Sequence, residues 1–149
     1  MLKQTILNRK YSFIGRTILG AANFLEQYLS PVLLLSMRLW MAYIFWYSGL
    51  LKISDWHTTI ALFQSVYNVP VISPTLAAYL TATTELTTPI LLVLGFATRL
   101  ATIPMLVMTA VIQFTYLQSN EHYYWAMILG TLLCFGPGKL SLDHWLKKL

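Results

Sequence analysis

The chain has little charge and almost no cysteine. Charged residues make up 10% of its 149 positions, only five of them Asp or Glu, and 57% are hydrophobic. Ordinary soluble domains carry about 25% charged residues, so the composition excludes a soluble globular domain. Cys134 is the single cysteine, which excludes an internal disulfide and an intrinsic dithiol redox couple. The formal net charge is +5, yet the basic residues flank apolar runs instead of forming a patch, which argues against nucleic acid as a partner. There is no flavin motif and no pair of haem ligands at matched depth, so any redox chemistry must be borrowed from elsewhere.

What the chain does have is long apolar segments. The run Pro74 to Leu94 would be about 31 Å long as a helix at ~1.5 Å per residue, enough to cross a bilayer core. Glu85 sits in its middle, with Thr81, Thr84 and Thr88 around it at helical spacing. Pro89 follows four residues later and frees the carbonyl of Glu85 from the helix ladder. A membrane helix carrying such a polar stripe must face a protein interior or a wet cavity.

Four such spans are expected, over 31–51, 74–94, 100–117 and 123–138. The fold class is therefore all-α: a polytopic membrane protein with four transmembrane helices in a bundle. The domain division is 1–30, a cationic amphipathic segment lying on the membrane surface, and 31–149, the bundle itself. In the first segment, Lys3, Arg9, Lys10 and Arg16 precede a stripe of Ile14, Ile18, Ala22, Leu25 and Leu29. Ser30-Pro31 and Ser73-Pro74 each read as a helix start, with serine as cap and proline at the first helical position. The long connection after Lys52 reads as a short surface helix followed by a turn at Asn68 to Pro70.

Orientation follows from charge. Lys3, Arg9, Lys10, Arg16, Arg99, Lys139, Lys147 and Lys148 fall on one side of the four-span arrangement, and the other side keeps Lys52 alone. The positive-inside rule then places both termini in the cytoplasm. The expected location is the inner (cytoplasmic) membrane.

The chain also resembles a known family. Arg38 with FWYSGLLK (Phe45 to Lys52), Val69-Pro70, TELTTPILLVLGFATRLA (Thr84 to Ala101) and GPGKLSLD (Gly136 to Asp143) look like the DoxX family, small bacterial and archaeal membrane proteins of four helices. The elements SGLxK, E-x9-LGxxTR and GPGxxSLD come in that family's order and spacing. The resemblance implies membrane redox or stress physiology. Its members include relatives found with thiosulfate:quinone oxidoreductase or quinol oxidase complexes, partners in oxidant-defence assemblies, and proteins encoded in metal-stress operons. It carries no catalytic residue over to this chain.

Two functions are in view. One is a membrane subunit of a redox or stress-response system that binds a quinone-like lipid for a partner oxidoreductase. The other is a non-catalytic anchor or scaffold for a metal- or oxidant-stress system. Either implies the lipid bilayer and protein partners as neighbours, with a homo-oligomer as a further option. The ligand-binding set is Arg38, Thr81, Glu85 and Gln113. Arg38 and Glu85 lie about 10 and 14 Å from the cytoplasmic ends of their spans at ~1.5 Å per residue, so an ion pair between them is expected, either structural or gripping a ligand's polar head, the remaining alternative being that they never meet. Asp55 and His57 in the first outer loop with Glu121 and His122 in the third are divalent-metal ligand types, but their spacing does not make a site. Asp143 and His144 read as solvent-facing or capping, and Cys134 as a small core residue.

Overall fold

The computed structural model describes residues 15, 17–67 and 69–148, which divide into a unit up to Leu33 and a unit from Leu34 onward. Every regular element among the described residues is helical. We number the helices α1 (Ser30–Ser54), α2 (Trp56–Ser65), α3 (Pro74–Leu94), α4 (Thr98–Thr115), α5 (Asn120–Phe135) and α6 (Leu142–Leu146). Among the described residues, three helical runs are long and apolar enough to cross a membrane: Thr17–Ser54, Pro74–Leu94 and Thr98–Thr115. α5 has 16 residues, about 24 Å at ~1.5 Å per residue, and needs thin bilayer or cover from its neighbours.

The start of the first span differs from the expectation. Ser30 does not cap a new helix; its φ of −57° and ψ of −45° are helical, and helix runs on from Thr17. Pro31 has no N–H to give, which ordinarily breaks a helix. Here Leu25–Leu29 form one π turn, and the Ser30 N–H reaches back to the Leu25 carbonyl. A wider turn of this kind absorbs a locally broken hydrogen-bond ladder. In the first unit, Ile18, Leu19, Phe24, Leu25 and Leu29 are all exposed. The basic residues Lys3, Arg9, Lys10 and Arg16 of the expected surface segment lie outside the described residues.

The other boundaries follow local chemistry. α3 begins and ends where its sequence says it should. The Ser73 hydroxyl accepts the Leu76 N–H, and Gly95 closes the helix in the left-handed region at φ 66°. Capping of this kind contributes about 1 kcal/mol per end. α2 is capped by Asp55, whose carboxylate accepts the Thr58 N–H and hydroxyl. α4 begins two residues earlier than expected, and α5 three residues earlier, because the Ser119 hydroxyl accepts the Glu121 N–H. Gly136 at φ 79° stops α5.

In the second unit the main core joins Met41, Ala42 and Phe45 of α1 to Leu92 of α3, Met105 of α4, and Leu129 and Leu132 of α5. A smaller core seats Phe63 of α2 on Ala77 and Ala78 of α3. So α2 lies against the first turns of α3. Of the α1 aromatics only Phe45 is buried; Trp40, Tyr43, Trp46 and Tyr47 are exposed. Cys134 is exposed as well, not a core residue. α5 buries the face carrying His122, Leu129 and Leu132, and Cys134 lies off that face.

Candidate functional site

The buried charges do not pair as the depth argument expects. Glu85 is 3% exposed and bonds to Lys52, whose Nζ donates to Oε1 at 2.8 Å. The Ser48 hydroxyl donates to the same oxygen at 2.9 Å, and Lys52 also donates to that hydroxyl at 2.9 Å. Arg38 does not bond to Glu85; its guanidinium donates to the carbonyls of Leu92, Val93, Pro137 and Leu140 at 2.8 to 3.1 Å, with the Asp143 charge nearby.

The reason lies in how helical side chains lean. Every Cα–Cβ bond tilts toward its own helix's N-terminus. α1 and α3 run in opposite directions, so Arg38 leans toward the N-terminal end of α1 while Glu85 leans the other way, toward the N-terminal end of α3. Lys52 leans back from the C-terminal end of α1 toward the middle, and meets Glu85 there. Gly49 sets the register. A Cβ on it would stand 3.0 Å from Glu85 Cβ and 2.9 Å from Leu86 Cδ2, so the two helices touch one residue from Ser48.

Around the Lys52–Glu85 pair lies a cavity of about 610 Å³, walled by all the long helices of the second unit and by α2. Phe45 and Trp125, 6.1 Å apart, line it, as do Phe63, Tyr67 and Tyr116. Tyr67 and Tyr116 stack at 4.3 Å. Burial, then the Glu85 charge, holds the Tyr67 phenol above its ordinary pKa, so it stays protonated. Thr81 and Thr84 add hydroxyls to the α3 wall. An apolar, aromatic pocket with a few convergent polar groups is the usual form of a small-molecule site.

Of the four residues expected to hold a ligand, Thr81 and Glu85 line this cavity, and Arg38 and Gln113 do not. Gln113 stands behind one wall: its Oε1 accepts the Ser119 N–H at 3.0 Å and lies 2.8 Å from Nδ1 of His122. His122 is 4% exposed and does line the cavity. Sequence reasoning placed it in a loop. The Ser119-Asn120-Glu121 sequence, a serine cap ahead of an acidic first turn, was the available signal that helix already holds it. Lys52 and Ser48 were also missed, although their i, i+4 spacing places them on one face. Asp55 is spent capping α2, and no group of three His, Cys, Asp or Glu among the described residues could hold a metal ion.

The LGFATR and GPGKLSLD motifs converge on a second polar cluster, which is structural. Gly95 has its left-handed φ and also no room for a Cβ, which would lie 2.5 Å from Ser141 Cβ and 2.9 Å from Arg38 Nη1. Its carbonyl accepts the Asp143 N–H, and the Asp143 carboxylate accepts the N–H groups of Ala97 and Thr98 at the start of α4. Arg99 donates to the Cys134 carbonyl at the end of α5. Arg38, LGFATR and GPGKLSLD thus form one latch that satisfies helix-end carbonyls and amides. Residues 33–118 match the family model of DoxX, over half of the chain. The chain belongs to the DoxX family. The match takes in α3, α4 and most of α1, while GPGKLSLD lies beyond it. With the long apolar helices, membership makes this a multi-pass membrane protein. No curated relative and no solved structure matches the chain.

Proposed function

We propose that this DoxX protein holds the ring of a quinone-like lipid in the cavity above Glu85, on behalf of a partner oxidoreductase. One observation carries the reading: a carboxylate 3% exposed, in the middle of a membrane span, walled by aromatic rings. Ionisable groups at such depth are costly and mark ligand or proton sites more often than they serve packing. Thr81 and Glu85 face the ligand, Gln113 acts through His122, and Arg38 serves the latch. The chain has no dithiol of its own, so the partner supplies the electrons. The site lies in the outer half of an inner-membrane protein with both termini cytoplasmic, and residues 1–30 act as its surface segment.

Quinone titration of the purified protein in lipid nanodiscs tests this. Trp125 lines the cavity, so its fluorescence should quench saturably. The effect should weaken in Glu85→Gln and vanish in Trp125→Phe. Unsaturable quenching, identical in wild type and Glu85→Gln, would replace this reading with that of a non-catalytic anchor or scaffold.

A further inference from the structure

Two hydrogen-bond acceptors that line the cavity, on different helices, have no donor among the described residues. The first is Oε2 of Glu85, which is buried and has no hydrogen-bond partner. The other carboxylate oxygen already receives Lys52 and Ser48. With an ammonium at 2.8 Å the group is a carboxylate, and a carboxylate only accepts.

The second is Nε2 of His122. The Ser119 backbone N–H can only donate, so the Gln113 atom that receives it is an oxygen. Nδ1 of His122 faces that same oxygen at 2.8 Å and must therefore carry the proton. A neutral imidazole protonated at Nδ1 presents Nε2 as an acceptor. This assigns the tautomer from the hydrogen-bond network.

The two acceptors lie at similar depth. Phe45 of α1 and Trp125 of α5 are in ring contact. Three residues outward along each helix, about 4.5 Å at ~1.5 Å per residue, come Ser48 and His122. Ser48 is bonded to Glu85, so Glu85 and His122 belong to one level of the cavity that both line. The hydroxyls of Tyr67, Tyr116 and Thr81 can turn to either role, and Lys52, which gives two of its three N–H groups to Ser48 and Glu85, is 17% exposed and can give the third to water. The groups that can only accept therefore set the preference.

We propose that the cavity selects a ligand donating two hydrogen bonds across it, one to Glu85 and one to His122: a 1,4-dihydroxylated aromatic ring in preference to its dicarbonyl form. This rests on the ring-binding reading above and adds to it the favoured form and His122 as a ligand contact. Leaving the buried Oε2 of Glu85 without a donor costs a full desolvation penalty, and charged groups suffer most. The preference should thus be about tenfold or more.

Anaerobic titration calorimetry in nanodiscs tests it with three probes: a 1,4-benzohydroquinone bearing one isoprenoid unit, the matching quinone, and the 1,4-dimethyl ether. The hydroquinone should bind about tenfold or more tighter than either of the others. In His122→Phe, where Gln113 keeps the Ser119 donor, the preference over the ether should shrink severalfold. If quinone or ether binds wild type as tightly as the hydroquinone, the inference is overturned while the ring site stands. An undiminished preference in folded His122→Phe overturns it too. If none of the three binds, the ring site falls with it. The wild-type comparison alone decides the matter should the variant fail to fold.

Discussion

Uncoupling Lys52 from Glu85 tests the electrostatic core of the protein most directly. Lys52→Met leaves the Glu85 carboxylate 3% exposed with only the Ser48 hydroxyl to answer it. Removing one partner of a buried pair costs about 3–5 kcal/mol. Glu85→Gln should cost less, about 2 kcal/mol, because the Lys52 side chain is 17% exposed and can extend its amine toward the outer surface. The double variant replaces a charged pair by neutral groups of similar volume, which often costs little. The singles sum to about 5–7 kcal/mol, so a coupling energy of about 3 kcal/mol or more should result. The same cycle on Arg38→Gln and Glu85→Gln should be additive to within about 0.5 kcal/mol, since those groups share no hydrogen bond. Reversible unfolding in mixed micelles of rising dodecyl sulfate fraction, followed by tryptophan fluorescence, gives each free energy. Additivity between Lys52 and Glu85, or strong coupling between Arg38 and Glu85, would refute the pairing and the side-chain lean behind it.

Gly49→Leu should destabilise the same transition by about 3 kcal/mol, because even a Cβ at Gly49 would meet Glu85 and Leu86. Asp143→Ala should cost about 2 kcal/mol through loss of the two N–H bonds at the start of α4, and Asp143→Asn less, since it keeps one acceptor oxygen. Acidification should loosen the start of α2. The Thr58 hydroxyl, then its N–H, hold the Asp55 pKa below its ordinary value. The folded-state pKa is depressed, so this stabilisation is present above the unfolded value of about 3.9 and is lost as pH falls through the folded one. Hydrogen exchange at the Thr58 amide should speed up across that range in wild type and show no such step in Asp55→Asn. Reporter fusions after Val71 and after Asn120 should appear outside the cell and a C-terminal fusion inside; a cytoplasmic signal at Val71 would reverse the orientation.

Composition and local pattern by themselves determined the class of this protein. Apolar runs of membrane length, serine-proline starts and glycine stops act within one or two helical turns, so Pro74–Leu94 is legible residue by residue. Glu85 stood out for a similar reason: a charge in a span is costly wherever its partner lies. Local signals misled only where a neighbour intervened, as at Ser30, where a π turn carried the helix past Pro31. What the sequence could not decide is which groups meet. Depth along a span is a one-dimensional measure, and by depth Arg38 and Glu85 are neighbours. Three-dimensional geometry separates them, because side chains lean toward their own N-termini and Gly49 sets how α1 lies on α3. His122 became a wall of the cavity only when α5 began early enough to bring it to Gln113. The GPGKLSLD and LGFATR motifs were conspicuous as strings, yet only the folded chain revealed that they tie helix ends to Arg38 rather than build the cavity.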